Sequence, residues 1–296
     1  MDPLVNYCVE EIKKRSLKDG GFVSGVKGGY RPDSTAWAAI ALSAARVDDP
    51  MIHLARSRLV SDQQEDGRIP VSPVHPEAFW PTPVVILAWQ GSPVHGEPQS
   101  RAVKFLLDTT GAYWPKDPNA AMAHDTSIKG WSWIEHTHSW VDPTALSIQA
   151  LKVTGHEKHQ RSSEALRMLL DRQLPRGGWN CGNTKVYGKE LRPMPDSTGI
   201  ALDALSGMVP LIKIRHSIDY LKNRLRKVRS PLSLGWGILG LGAWSERPAE
   251  APKWLMECWR LQDRYGRYDT SLISLILLAR LAPSGLMSAM RRKNIS

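Results

Sequence analysis

The chain has 296 residues, is 42% hydrophobic and carries a net charge of +10, so it can bury a sizeable core and calls for an anionic partner: a phosphate-bearing ligand, a membrane surface or nucleic acid. Its longest apolar run, Leu272 to Ala279, falls well short of the roughly 18 to 20 residues of a membrane span. The three cysteines, Cys8, Cys181 and Cys258, are too few and too scattered for a disulfide framework or a Cys-x-x-Cys metal pair. With no basic-then-apolar leader, the expectation is a soluble, cytoplasmic protein, peripheral contact with a membrane being left open by its charge. Nucleic acid is set aside because the basic residues are dispersed and no reading motif occurs.

In chain order, a polar amphipathic segment alternates six times with a nearly all-apolar one. The polar segments are LVNYCVEEIKKR (4–15), MIHLARSRLVSDQQ (51–64), QSRAVKFLLDTT (99–110), SSEALRMLLDRQL (162–174), IDYLKNRLRKV (218–228) and APKWLMECWRLQ (251–262), each apolar at helical spacing. The apolar partners are PDSTAWAAIAL (32–42), WPTPVVILAW (80–89), VDPTALSIQAL (141–151), PDSTGIALDAL (195–205), SPLSLGWGILGL (230–241) and YDTSLISLILLA (268–279). Several pairs are joined by a turn rich in Gly and aromatics: DGGF, EDGRIP, GWSW, GGWN and DRYGRY. Repeated helical pairs stack, and six of them can close on themselves with the apolar helices inside. The expected fold is all-α, a single alpha6/alpha6 toroid of six inner and six outer helices. It forms one domain over residues 1–296, with a short basic tail.

The turns at 63–67 (QQEDG), 172–183 (RQLPRGGWNCGN) and 261–268 (LQDRYGRY), with the inner-helix start STAWAAIAL (34–42), resemble the QW turns and Ser/Thr-Ala-Trp helices of the terpenoid cyclase and protein prenyltransferase superfamily. The resemblance covers nearly the whole chain. It implies a central apolar cavity that takes an isoprenoid or related lipid, and acid-initiated cyclisation from an Asp-x-Asp-Asp motif at an inner-helix start. Here WVDPTA (140–145) aligns Asp142 with the proton-donating acid and leaves Trp140 and Pro143 where two further acids belong. RPDSTA and MPDSTG offer Asp33 and Asp196 for the same role.

Two readings of these acids stand side by side. Asp33, Asp142, Asp196 and Asp269 can each cap a helix, accepting from the free N–H groups of its first turn. Asp142 can instead be a catalytic acid, because His136 and His138 precede it in a loop that also holds Trp131, Trp133 and Trp140. An imidazolium stabilises the conjugate base, and indole faces hold a developing carbocation. Trp37 and Trp236, on inner helices, extend that aromatic set. The long loop 177–199 carries Trp179, Asn180, Cys181, Asn183 and Tyr187. It reads as a structural turn or as a cavity mouth in which amides and Lys185, Lys189 and Arg192 bind an oxygen or a phosphate.

No cofactor or metal is expected. The prenyltransferase zinc triad is unmatched, since Trp179 stands two residues before Cys181. His124, Asp125, His136 and His138 have no defensible ligand spacing. Asp48 and Asp49 do not continue into a magnesium-binding Asp-Asp-x-x-Asp run. Two functional readings follow: an enzyme that cyclises or isomerises an isoprenoid by protonation, or a noncatalytic toroid that holds a lipid, cofactor or protein. A prenyltransferase-like subunit is a third. Because class II cyclases of the superfamily commonly use two rings, a lone ring must work alone, dimerise or recruit a partner subunit.

Overall fold

The computed structural model describes residues 2–47, 50–117, 119 and 121–290. Asp48, Asp49 and the basic tail beyond Met290 lie outside the described residues. The helices are α1 (Pro3–Lys13), α2 (Pro32–Ala44), α3 (Pro50–Ser61), α4 (Pro81–Trp89), α5 (Gly96–Asp108), α6 (Val141–Val153), α7 (Gln160–Asp171), α8 (Pro195–Leu205), α9 (Arg215–Leu225), α10 (Pro231–Ala243), α11 (Ala251–Arg260), α12 (Gln262–Tyr265), α13 (Thr270–Leu281) and α14 (Leu286–Met290). A two-stranded hairpin, β1 (Lys185–Val186) and β2 (Lys189–Glu190), interrupts the loop before α8.

The division into outer and inner helices follows from composition. Outer helices bury one stripe, as α11 does with Ala251, Trp254, Leu255 and Cys258 at intervals of three and four. Inner helices are sealed on all sides; every residue of α4 is buried. The inner helices pack in the order α2, α4, α6, α8, α10, α13, and α13 returns to α2, closing a single alpha6/alpha6 toroid. Closure is fastened by Thr270, whose N–H donates to the Ser24 carbonyl at 2.8 Å and whose hydroxyl donates to that of Val23 at 2.6 Å.

A Thr that recurs on four inner helices holds its repeat together. Thr35, Thr82 and Thr144 accept at 2.9 Å from the backbone N–H of Phe22, Ile69 and Trp131 respectively, and Thr198 accepts at 3.0 Å from that of Trp179. Each of these four hydroxyls also lies within 3.5 Å of the same residue's carbonyl. A buried turn thereby satisfies both backbone groups on one side chain. The turn glycines couple neighbouring repeats. Gly67, at φ +95°, would set a Cβ 2.3 Å from the Arg101 carbonyl oxygen of α5, and Gly177, at φ +92°, would set one 2.4 Å from that of His216 on α9. Only glycine fits such an approach in that backbone region.

The far end of the ring, where the inner helices finish, is crossed by α14, which touches α2, α6, α10 and α13. Its Leu286 N–H donates to Asp203 Oδ2 at 2.8 Å, while Gln149 Nε2 donates to Oδ1 at 3.0 Å. The opposite end, where the inner helices begin, remains as the mouth. Among the described residues no helix is long and apolar enough to cross a membrane.

Candidate active site

Relative to the clasp threonines, the same position two residues upstream is occupied by Asp33 on α2, Trp80 before α4, Asp142 on α6 and Asp196 on α8. These four form one layer around the mouth, and so the acids recur in the sequence. Capping is not the reason. The capping positions of α2, α6 and α8 belong to Arg31, Trp140 and Met194, none of which makes a side-chain cap bond, and the acids sit at the second helical residue. The capping reading therefore fails for Asp33, Asp142 and Asp196 and holds for Asp269, which accepts from the Leu272 N–H at 2.7 Å.

Surroundings separate the three equivalent acids. Asp33 is buried and ion-paired, receiving Arg31 Nε on Oδ1 at 2.8 Å. Asp196 is half-buried and receives the Ser233 hydroxyl of α10 on Oδ1 at 3.0 Å. Asp142 differs from both. Part of the residue reaches the surface, but its Oδ1 is sealed from solvent and has no hydrogen-bond partner. Burial pushes its carboxyl up to about 7, with the Ser197 hydroxyl working against the rise and the like charge of Asp196 adding to it. A carboxylic acid in this state keeps its proton near neutrality and has one oxygen free to deliver it.

One helical turn below this layer, on the same face of each helix, stand Trp37, Leu146 and Ile200, with Trp236 contributed by α10. They retain 3–7% of their surface. The rings of Trp37 and Trp236 meet edge to face at 5.7 Å. Since α2 and α10 each pack on α13, this contact falls inside the ring and floors it. At the helix starts an acid layer thus stands over an apolar layer bearing two indoles, roughly 6 Å further along the inner helices at 1.5 Å per residue, and together they outline a candidate cup. A cleft of about 620 Å³, lined by Gln99, Lys104, His156 and His159 among others, lies instead on the outer wall beside α5.

Several predicted site residues lie elsewhere. Trp131 and Trp179 are fully buried, their indole N–H groups donating to the carbonyls of Leu106 (3.0 Å) and Leu169 (2.6 Å); they anchor turns in the core and do not line the cup. His138 stacks on Trp140 with ring centres 4.2 Å apart, and its imidazole is pushed down by burial and by Arg172. His136 is an exposed loop residue at φ +63°. Neither supplies the expected imidazolium to Asp142, whose neighbours are Ser197 and Asp196. Asn180 Oδ1 accepts from the N–H groups of Gly182 (2.9 Å) and Asn183 (3.1 Å), which ties this oxygen into its own loop. Among the described residues His124, Asp125, His136 and His138 do not converge on a metal-holding group.

Others do reach the mouth. Cys181 is exposed, and its thiol is pushed up by burial of the sulfur and by the facing charges of Asp142 and Asp196. Trp133 packs edge to face on Trp80 at 5.5 Å. Tyr187 is 84% exposed at the hairpin tip. Sequence reasoning missed Ser197, Ser233, Trp80, Leu146 and Ile200. The four-residue spacing from each acid was the available signal for Leu146 and Ile200; hydroxyls contributed by neighbouring helices leave none.

No protein-family model and no curated protein sequence matches the chain. Solved structures do. A protein from Actinoplanes is 15% identical with a TM-score of 0.61, covering 97% of this chain and 99% of that one. The type II terpene cyclase MstE from Scytonema, in complex with geranylgeranyl dihydroxybenzoate, its substrate, is 14% identical with a TM-score of 0.60, covering 97% and 96%. The GH76A alpha-1,6-mannanase from a Salegentibacter species is 10% identical with a TM-score of 0.64, covering 94% and 97%. At these identities the likeness is one of fold, shared by a cyclase and a glycosidase alike.

Proposed function

We propose that this toroid binds an isoprenoid or related lipid at its mouth and cyclises or isomerises it by protonation, with Asp142 as the acid. The observation that carries this reading is the sealed, unbonded Oδ1 of Asp142 among three otherwise equivalent acids. In the reaction the Asp142 O–H bond breaks as a C–H bond forms on an alkene carbon. The resulting carbocation is held over the faces of Trp37 and Trp236 and is attacked by a second alkene or loses a proton.

The remainder of the substrate lies across a rim of exposed apolar side chains on the loops leading into the inner helices: Val26, Val74, Ile134, Tyr187 and Met194, with Leu232 on the first turn of α10. Lys185, Lys189 and Arg192 flank that rim and suit an anionic headgroup or membrane surface. The competing reading is a noncatalytic lipid-binding ring. It is favoured by Trp140 and Pro143 standing where the superfamily's other acids belong.

The two readings separate by experiment. The purified protein is incubated without added metal with squalene, farnesyl diphosphate and geranylgeranyl diphosphate, and extracts are examined by mass spectrometry across pH. The enzyme reading predicts a new hydrocarbon or alcohol whose yield is constant at mildly acidic pH and falls as pH rises through about 7, because the raised Asp142 carboxyl is neutral below that value and ionised above it. Lipid recovered unchanged at every pH supports the binding ring.

A further inference from the structure

The outer-wall cleft, at about 620 Å³, is of the size that small-molecule sites occupy, roughly 300–1,000 Å³. It lies between α5 and the turn from α6 to α7, at the finishing ends of α4 and α6 and so away from the acid layer. We infer that it binds a neutral planar heterocycle whose edge carries an N–H beside a C=O, the pattern of a pyrimidine nucleoside. This is independent of the reaction at the mouth.

The hydrogen bonds already made in the wall fix what it has left to offer. Gln99 Nε2 donates to the Ile86 carbonyl at 2.9 Å and to Gln90 Oε1 at 3.2 Å, which uses both hydrogens of its amide. The Ile86 carbonyl can only accept, so Gln99 must turn its nitrogen inward and Gln90 must meet it with an oxygen. Gln99 Oε1 and Gln90 Nε2 are left without a partner among the described residues, an acceptor and a donor on two amides already joined to each other.

Two histidines add groups of opposite kind. Thr154 gives its single hydroxyl hydrogen to the Ala150 carbonyl at 2.9 Å, so it accepts from His156 Nδ1 at 3.2 Å, and neutral His156 presents a bare Nε2. His159 Nδ1 instead accepts from the Arg161 N–H at 3.1 Å, which places the proton of neutral His159 on Nε2. Val103, Leu107 and Val153 supply apolar surface for the face of a ring. Charge is answered within the wall: Lys104 is ion-paired with Asp108, and among the described residues no other Lys, Arg, Asp or Glu lines the cleft. A phosphate or carboxylate therefore finds no free Lys or Arg, and an uncharged ligand is favoured. An amide edge suits both glutamines at once, its C=O accepting from Gln90 Nε2 and its N–H donating to Gln99 Oε1. Hydroxyls on a substituent match the histidines, which offer one group of each kind.

The test titrates uridine into the intact protein, followed by calorimetry and saturation-transfer NMR, beside 3-methyluridine, which lacks the edge N–H. Uridine should bind with a Kd of about 1 mM or below, and 3-methyluridine about tenfold or more weakly. Gln90→Met and Gln99→Met should each weaken uridine about tenfold. Leu107→Trp, which fills the cleft, should remove binding, and circular dichroism checks that each variant is folded. Gln90 is half-buried at the end of α4, so Gln90→Met keeps the test decisive if the other two variants unfold. Absence of uridine binding at millimolar concentration, equal binding of the two nucleosides, or unchanged binding in Gln90→Met overturns the proposal.

Discussion

Asp142→Asn is expected to lower product formation by about 10²–10⁴-fold, the range a positioned general acid contributes, while leaving the fold intact. Both parts follow from one observation. The oxygen that would deliver the proton makes no hydrogen bond, so replacing the carboxyl by an isosteric amide breaks no contact there. The substitution also removes a group that burial forces to stay neutral, so thermal stability at alkaline pH should be equal to or above that of the parent. Asp33→Asn and Asp196→Asn serve as comparisons at the equivalent positions. Asp33→Asn abolishes an ion pair with Arg31 that sits away from the cup's free oxygen. It should reduce the first turnover far less than Asp142→Asn does. Chromatographic yield with circular dichroism of each variant decides the matter, and equal losses in all three would assign the acids a common structural role.

The largest effect on stability is expected at Gly199. A Cβ there would lie 2.4 Å from the backbone carbonyl carbon and oxygen of Trp236, and Gly240 faces back with a Cβ position 2.3 Å from the Gly199 oxygen. Helices α8 and α10 therefore approach backbone to backbone, with no flexible side chain that could yield. Gly199→Ala must separate them and carry Trp236 off Trp37. Overpacking of this kind costs about 3 kcal/mol, which lowers the melting temperature by roughly 5–10 °C in a domain of this size. Gly25→Ala, where a Cβ meets nothing within 4 Å, should change stability by less than about 0.5 kcal/mol. A Gly199→Ala protein melting with the parent would mean that the α8–α10 contact is looser than described.

The ring was legible because its signals are periodic. Apolar residues spaced by three and four marked the outer helices, continuous apolar runs marked the inner ones, and the Thr that recurs at four of the six inner starts is the clasp residue that ties the turn beneath it. The acids were legible as a set and ambiguous as individuals. Proline takes the first helical residue of α2 and α8 and puts the cap two positions upstream of the acid, so Asp33 and Asp196 read as caps when they are mouth residues. Tryptophans misled for a different reason. The indoles of Trp131 and Trp179 find backbone carbonyls on the preceding outer helices, Leu106 and Leu169, and sink into the core. Trp37 and Trp236 meet edge to face between inner helices. His138 lies four residues from Asp142 in sequence, yet it turns onto Trp140 and toward Arg172. What singles out Asp142 is the absence of a partner for one oxygen, and that depends on α8 and the loop before it.

The most direct test is to run the reaction in deuterium oxide with the isoprenoid that yields product and to examine that product by mass spectrometry and carbon NMR. Proton delivery from a solvent-reloaded Asp142 predicts one non-exchangeable deuterium on the carbon of the alkene that is attacked first, and no such product from Asp142→Asn. Product lacking that deuterium, or labelled product from the variant, would contradict the assignment of Asp142 as the acid.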